Sequence, residues 1–254
     1  MAQSGPGQIY LFNDFFTGVD ISGVADNSTT RTFYNLGDFR LFGDGVSEID
    51  SGALAIGSDE LNGVVRLTTT NENKHSCCLG TELAFDAALM GTIVVEARVR
   101  FNNLDTKHAF IGLTDTVGDD LSFEDDMITA ASTTVMTLTA SDLCGFYLDS
   151  ELGTDHEDWI MVYNGGTTTG ETTAASIDAN DDAVAGEWQV LRLEVTPTGT
   201  ARWYIDGVLK QTVTGALSTS TDVGVVCGVE ATAASIEEMD VDYLMVKANR
   251  DWTV

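Results

Sequence analysis

Residues 186–215 read GEWQVLRLEVTPTGTARWYIDGVLKQTVTG, and their alternation decides the fold. In an extended chain Leu191, Leu193 and Val195 fall on one face, with Arg192 and Glu194 on the other. A few residues on, Trp203 and Ile205 alternate with Arg202, Tyr204 and Asp206. Alternation with a period of two marks half-buried strands. The pair Asp206-Gly207 tolerates the positive φ angles of a tight hairpin, so VLKQTVTG is read as the returning strand.

The same pattern extends outward in both directions. In TIVVEARVRF, Ile93, Val95, Ala97, Val99 and Phe101 share a face, while Glu96, Arg98 and Arg100 lie opposite with Val94. VGVVCGVEA (223–231) and MDVDYLMVKA (239–248) alternate again. Helical spacing occurs only in ELAFDAALM (82–90), where Gly91 would end a helix, and strand or irregular structure is favoured there. Two prolines against 25 glycines fit strands joined by glycine turns. The expected fold is all-β, an antiparallel two-sheet sandwich: one domain over 19–254, preceded by an arm or docking segment over 1–18. Residues 115–134 and 164–186, rich in Gly, Thr, Ser and Asp, read as long loops.

Charge narrows the function. Twelve basic residues stand against 40 acidic ones, a net charge of −28. No Lys or Arg lies between Lys107 and Arg192, a stretch with 17 acidic residues. A nucleic-acid partner needs basic groups to neutralise phosphates, and an anionic membrane attracts basic segments, so neither is expected. The four cysteines (77, 78, 144 and 227) match no zinc spacing and read as thiols packed in a core. The opening MAQSGPGQ carries no positive charge, and the apolar run after it is broken by Asn13 and Asp14, so no secretory signal is expected.

Candidate chemistry is sparse. Glycoside hydrolysis needs two carboxylates across a groove. SEIDSG (Glu48, Asp50) and EEMDVDY (Glu238, Asp240, Asp242) place carboxylates at strand spacing, Glu238 and Asp240 being the better pair. His75, two residues from Cys77, lacks an orienting third group. Clustered hard oxygens occur in ELGTDHEDW (Glu151, Asp155, Glu157, Asp158) and DANDD; Asp178, Asn180 and Asp182 are candidate calcium ligands, and no other cofactor is indicated. Trp203 falls on a core phase, whereas Trp159 sits in the acidic stretch as a candidate glycan-stacking platform.

The segment 186–215 resembles the strand–hairpin–strand of concanavalin A-like and laminin-G-like jelly rolls, in which W-x-x-L/V-x-L-x-V precedes a strand ending Y-x-D-G. ARVRFNNLDTKHAFIGLTDT (97–116) and MDVDYLMVK (239–247) extend that resemblance over most of residues 45–248. The E-x-D-x-E run of jelly-roll glucanases is not intact here. IYLFNDFFTG (9–18), together with EARVRF and FIGLTD, is similar to virion structural proteins of tailed bacteriophages, especially those of marine bacteria. That resemblance implies a non-enzymatic head decoration (cement) protein, assembled in the host cytoplasm and displayed on the capsid surface. Its implied partners are the major capsid protein and copies of itself, as dimer or trimer, with Ile9, Tyr10, Phe12, Phe15 and Phe16 at the interface. The alternatives are a lectin-like virion protein that holds host surface glycans and, further off, a glucanase-like hydrolase.

Overall fold

The computed structural model describes residues 7–16, 20–22, 34–44, 46, 52–55 and 63–251, with backbone alone at 20–22, 34 and 52–55. In chain order the elements are β1 Gln8–Asn13, β2 Asp20–Ser22, β3 Tyr34–Leu36, β4 Phe39–Phe42, β5 Gly52–Ala55, β6 Val65–Thr68 and β7 Ser76–Gly80. There follow β8 Phe85–Asp86, β9 Ile93–Arg100, β10 Lys107–Thr114, α1 Phe123–Asp126, β11 Ile128–Ser132, β12 Val135–Leu138, β13 Leu143–Asp149 and β14 Asp158–Asn164. The last are β15 Asp178–Asp182, β16 Gln189–Val195, β17 Ala201–Ile205, β18 Val208–Val213, β19 Asp222–Ala231 and β20 Glu238–Asn249.

Two antiparallel sheets stack face to face, as the alternation requires. The first runs β18-β17-β16-β9-β20-β6-β5-β2. Its longest strand, β20, is flanked on one side by β6 along its first half and by β1 along its second, where Asn13 faces Leu244 and Gln8 faces Asn249. The second sheet runs β15-β14-β13-β10-β19-β7-β4-β3, with β8 beside the start of β19. Leu191, Leu193, Val195, Trp203 and Ile205 are all buried between the sheets, and so are Val95, Ala97 and Val99 of β9. Each large side chain buried in this way contributes about 1.5–3 kcal/mol. The hairpin forms at the predicted place: Asp206 and Gly207 adopt φ of 49° and 79°, the paired left-handed geometry that matches the twist of β17 and β18.

The aromatic block near the N-terminus divides by strand parity. Ile9 and Leu11 turn inward against the core, and Phe15 is 1% exposed. Tyr10 and Phe12 turn outward, and Phe16 is 67% exposed just past the strand. The segment ELAFDAALM forms the short β8 and then turns, with Gly91 at φ 68°. Both stretches read as loops contain regular structure. Residues 164–186 hold a 3-10 turn (Ala174–Ser176) and the edge strand β15, which is the DANDD segment itself. Residues 115–134 hold α1 and β11. No helix among the described residues is long and apolar enough to cross a membrane.

Candidate functional site

Two broad sheet faces point away from the core, and the chain treats them differently. On β10 of the second sheet, Ala109, Ile111 and Leu113 face inward, which turns His108 and Phe110 outward. There they meet a roof formed by α1 and the β11–β12 hairpin. Phe123 of α1 packs at 6.3 Å from the Phe110 ring, and Leu121, Met127, Ile128 and Met136 are buried under the roof. Gly145 on neighbouring β13 makes room for this packing: a Cβ there would lie 2.8 Å from the Phe110 ring.

A buried ionic cluster pins the roof. His108, fully buried, lies between Asp149 on β13 and Glu230 on β19, because the register places all three side by side. Its Nε2 is 3.1 Å from an Asp149 oxygen and its Nδ1 is 3.2 Å from Glu230 Oε1. Burial alone would depress the imidazole, but the two carboxylates outweigh it and hold His108 up at about 10. Glu230 also accepts the backbone N–H groups of Phe123 and of Glu124, the latter at 2.9 Å, and so ties the first turn of α1 to the sheet. Ser122 caps that turn by accepting Asp125 N–H at 3.2 Å. Outside the roof, Lys74 Nζ reaches Asp125 at 2.6 Å and Glu124 at 3.2 Å. Tyr147 Oη donates to Ile128 O or to Asp149, at 3.4 and 3.3 Å. Sequence reading singled out neither Asp149 nor Glu230 as a partner of His108, and it named Glu151, 3.8 Å from Nε2, only as a metal-ligand candidate. Asp149 and Glu230 lie 41 and 122 residues away in the chain, and only the strand register joins them.

The outer face of the first sheet is a ladder of charges. Asp240, 1% exposed, accepts Arg66 Nε at 2.7 Å and Arg100 Nη2 at 2.8 Å. Glu238 is 3.1 Å from Arg66 and accepts Asn102 at 2.7 Å. Both members of the candidate hydrolytic pair are therefore held by structural donors, and Asp242 is held by Arg98. Farther along, Arg192 bridges Glu96 and Glu194 at 3.1 and 2.6 Å, and Glu96 also accepts Tyr243 Oη. Trp188 lies beneath the guanidinium groups of Arg98 and Arg100, at 4.8 and 4.5 Å from ring to carbon. Tyr243 also faces Phe12 at 6.1 Å, which joins β1 to the ladder. Glu48 and Asp50 lie outside the described residues.

The structure corrects the reading of Trp159 as an exposed platform. Its relative exposure is 0%; the ring packs against Phe101 and Phe146, and Nε1 donates to Gln189 at 2.8 Å. The acidic stretch ends at Asp158, and DWIMVYN begins β14, so the indole enters the core. The calcium trio is rearranged as well. Asp178 converges with Asp155 and Asp158, within 4.8 Å. Asp182 sits opposite Asp158, whereas Asn180 donates Nδ2 back to the Asp178 carbonyl at 3.4 Å. Burial, together with Asp182 and Asp178 beside it, raises Asp158 to about 7. Three carboxylates supply three to six of the six to eight oxygens that calcium takes, and the rest would fall to carbonyls and water. His75 Nδ1 pairs with Thr70 at 2.8 Å, and Cys77 beyond it is buried. All four cysteines are buried, and burial alone raises Cys227 to about 12.

A cavity of about 630 Å³ opens beside β1, lined by Ile9, Leu11, Phe39 and Phe85 and rimmed by Arg40 and Arg250.

This architecture is that of the concanavalin A-like lectin and glucanase jelly rolls. Among solved structures, a protein of unknown function from Shewanella oneidensis MR-1 superposes with a TM-score of 0.61 at 12% identity, over 98% of this chain and 90% of that one. A GH16 protein from a mixed-linkage glucan locus of Bacteroides ovatus gives 0.53 at 11% identity, over 93% and 99%. The carbohydrate recognition domain of Emp47p gives 0.52 at 11%, over 91% and 96%. At these identities the likeness establishes the fold alone. No protein-family model matches the chain, and no curated protein matches it in sequence.

Proposed function

We propose that the protein is a non-catalytic component of a tailed-phage particle: a head decoration protein that binds the major capsid protein and stiffens the shell. It would be assembled in the host cytoplasm and carried on the capsid surface. One observation carries the reading, namely that among the described residues neither broad face of the sandwich presents an open catalytic groove. The roof on α1 covers one, and arginines hold the carboxylates of the other. A hydrolase would need a paired acid and base open to a groove. A lectin-like virion protein would be favoured by an open tryptophan platform, but among the described tryptophans Trp159 and Trp203 are core and Trp188 is stacked under two arginines. Adhesion needs only exposed apolar area. Phe16, beyond the end of β1, and the cavity beside that strand supply it.

Quantitative mass spectrometry of purified particles from the phage encoding this chain tests the proposal. The protein is expected in fixed stoichiometry to the major capsid protein, with occupancy reduced by Phe16→Ser while the melting temperature is unchanged. Absence from particles, or measured turnover on a saccharide, would remove the role. Deleting residues 1–18 is a poorer test, because it also takes Phe15 and β1 out of the fold.

A further inference from the structure

The charge of this protein is distributed very unevenly over its surface. The outward side chains of β1, β6, β9, β16, β17 and β20 include six basic residues: Arg66, Arg98, Arg100, Arg192, Arg202 and Lys247. They include five acidic residues: Glu96, Glu194, Glu238, Asp240 and Asp242. That face carries +1. Among the residues whose side chains are described, five basic and 29 acidic residues remain elsewhere, a charge of −24. Half of the chain's cations thus lie on one face, and that face is close to neutral whereas the rest of the described surface is strongly anionic.

We infer that this face is where a second copy of the chain docks, in a two-fold, face-to-face contact. Two copies that meet through any other surface bring like charges together, which is costly when desolvated. Through this face the acidic surfaces point apart. A ladder of alternating arginine and carboxylate is also complementary to itself after a two-fold rotation, as an isologous contact requires. Arg202 and Lys247 form no ion pair among the described residues and are available to carboxylates of the other copy. Apolar area is present as well: Phe12 is 40% exposed, with Tyr10 and Tyr243 about 6 Å on either side. The size is adequate. Five adjacent strands at about 4.8 Å spacing and roughly 25 Å of length give a footprint on the order of 600 Å², near the ~800 Å² that each side of a standard interface buries.

This inference is independent of the decoration role. A dimer absent from particles would remove that role and leave the contact standing, and a monomer found on particles would do the reverse. The test is sedimentation velocity of the full chain in about 0.15 M salt at micromolar concentration. The wild type is expected to be a dimer. Arg202→Glu with Lys247→Glu takes the face from +1 to −3 without touching an internal ion pair, and it should weaken association at least tenfold with an unchanged thermal melt. Val135→Glu, on the roof strand β12 over the opposite sheet, should leave the dimer intact. A monomeric wild type, a dimer indifferent to the double substitution, or a dimer broken by Val135→Glu would each overturn the inference; the last would mean a contact through the roof instead.

Discussion

His108 is an imidazolium held by two carboxylates where no water reaches it. Because its folded pKa of about 10 lies above the unfolded value near 6.5, its stabilisation is fully present below about pH 6.5 and is lost as pH rises through about 10. Unfolding free energy from urea titrations should therefore fall between pH 7 and 10. His108→Gln leaves two buried carboxylates with too few donors and should cost about 3–5 kcal/mol at pH 7. Indifference of stability to that substitution would contradict the cluster. Asp158 works in the opposite sense to an ordinary salt-bridged carboxylate. Its folded pKa of about 7 exceeds the unfolded value near 3.9, so folding favours the protonated form and stability declines as pH climbs from about 4 to about 7. Asp158→Asn should raise the melting temperature at pH 8 and have little effect at pH 4. The acidic cluster around Asp158 is visible in the sequence, but its convergence with Asp178 and Asp182 is not. KHAF is unremarkable until the strand register supplies the carboxylates of His108, and the same gap put Trp159 on the surface instead of in the core.

Among the elements, β1 shows how far strand parity can be read and where it stops. Phe15 is core and Ile9 and Leu11 pack against the core, while Phe12 of the same block turns outward, and the split within the strand follows from the pairing of β1 with β20. Phe15→Ala should cost about 3–5 kcal/mol. Phe12→Ala should change the unfolding free energy of the monomer by less than about 0.5 kcal/mol. Denaturant titrations of the two variants would settle the assignment, and equal costs would refute it. The strands β9, β16 and β17 and the 206–207 hairpin were legible because each has a clean two-residue period with one buried face. The roof was not. Its strands are short, its single helical turn has four residues, and its partners are tertiary. Composition alone therefore made it look like a loop. Ser122→Ala should remove about 1 kcal/mol from that turn, seen as faster amide exchange across residues 121–128 with the rest of the sandwich unaffected.

For the whole molecule, the composition gave the dominant force but not its geography. A charge of −28 was visible at once, whereas the gathering of half the cations onto one sheet face depends on which strands lie side by side. Self-repulsion of the remaining surface should make both the fold and any association weaker at 0.01 M salt, where the Debye length is about 30 Å, than at 0.15 M, where it is about 8 Å. A melting temperature that is flat across that range would show that the charges are already compensated.

The pairing of β1 with the second half of β20 also sets the order of events on the ribosome. Residues 8–13 leave the exit tunnel more than two hundred residues before residues 244–249, their only sheet partners among the described residues. Until translation reaches that point, Ile9, Leu11 and Phe15 have no finished groove to enter, and the nascent chain carries a sticky, unpaired front end. Nonsense truncations anywhere ahead of Leu244 would then yield products that need chaperones or aggregate.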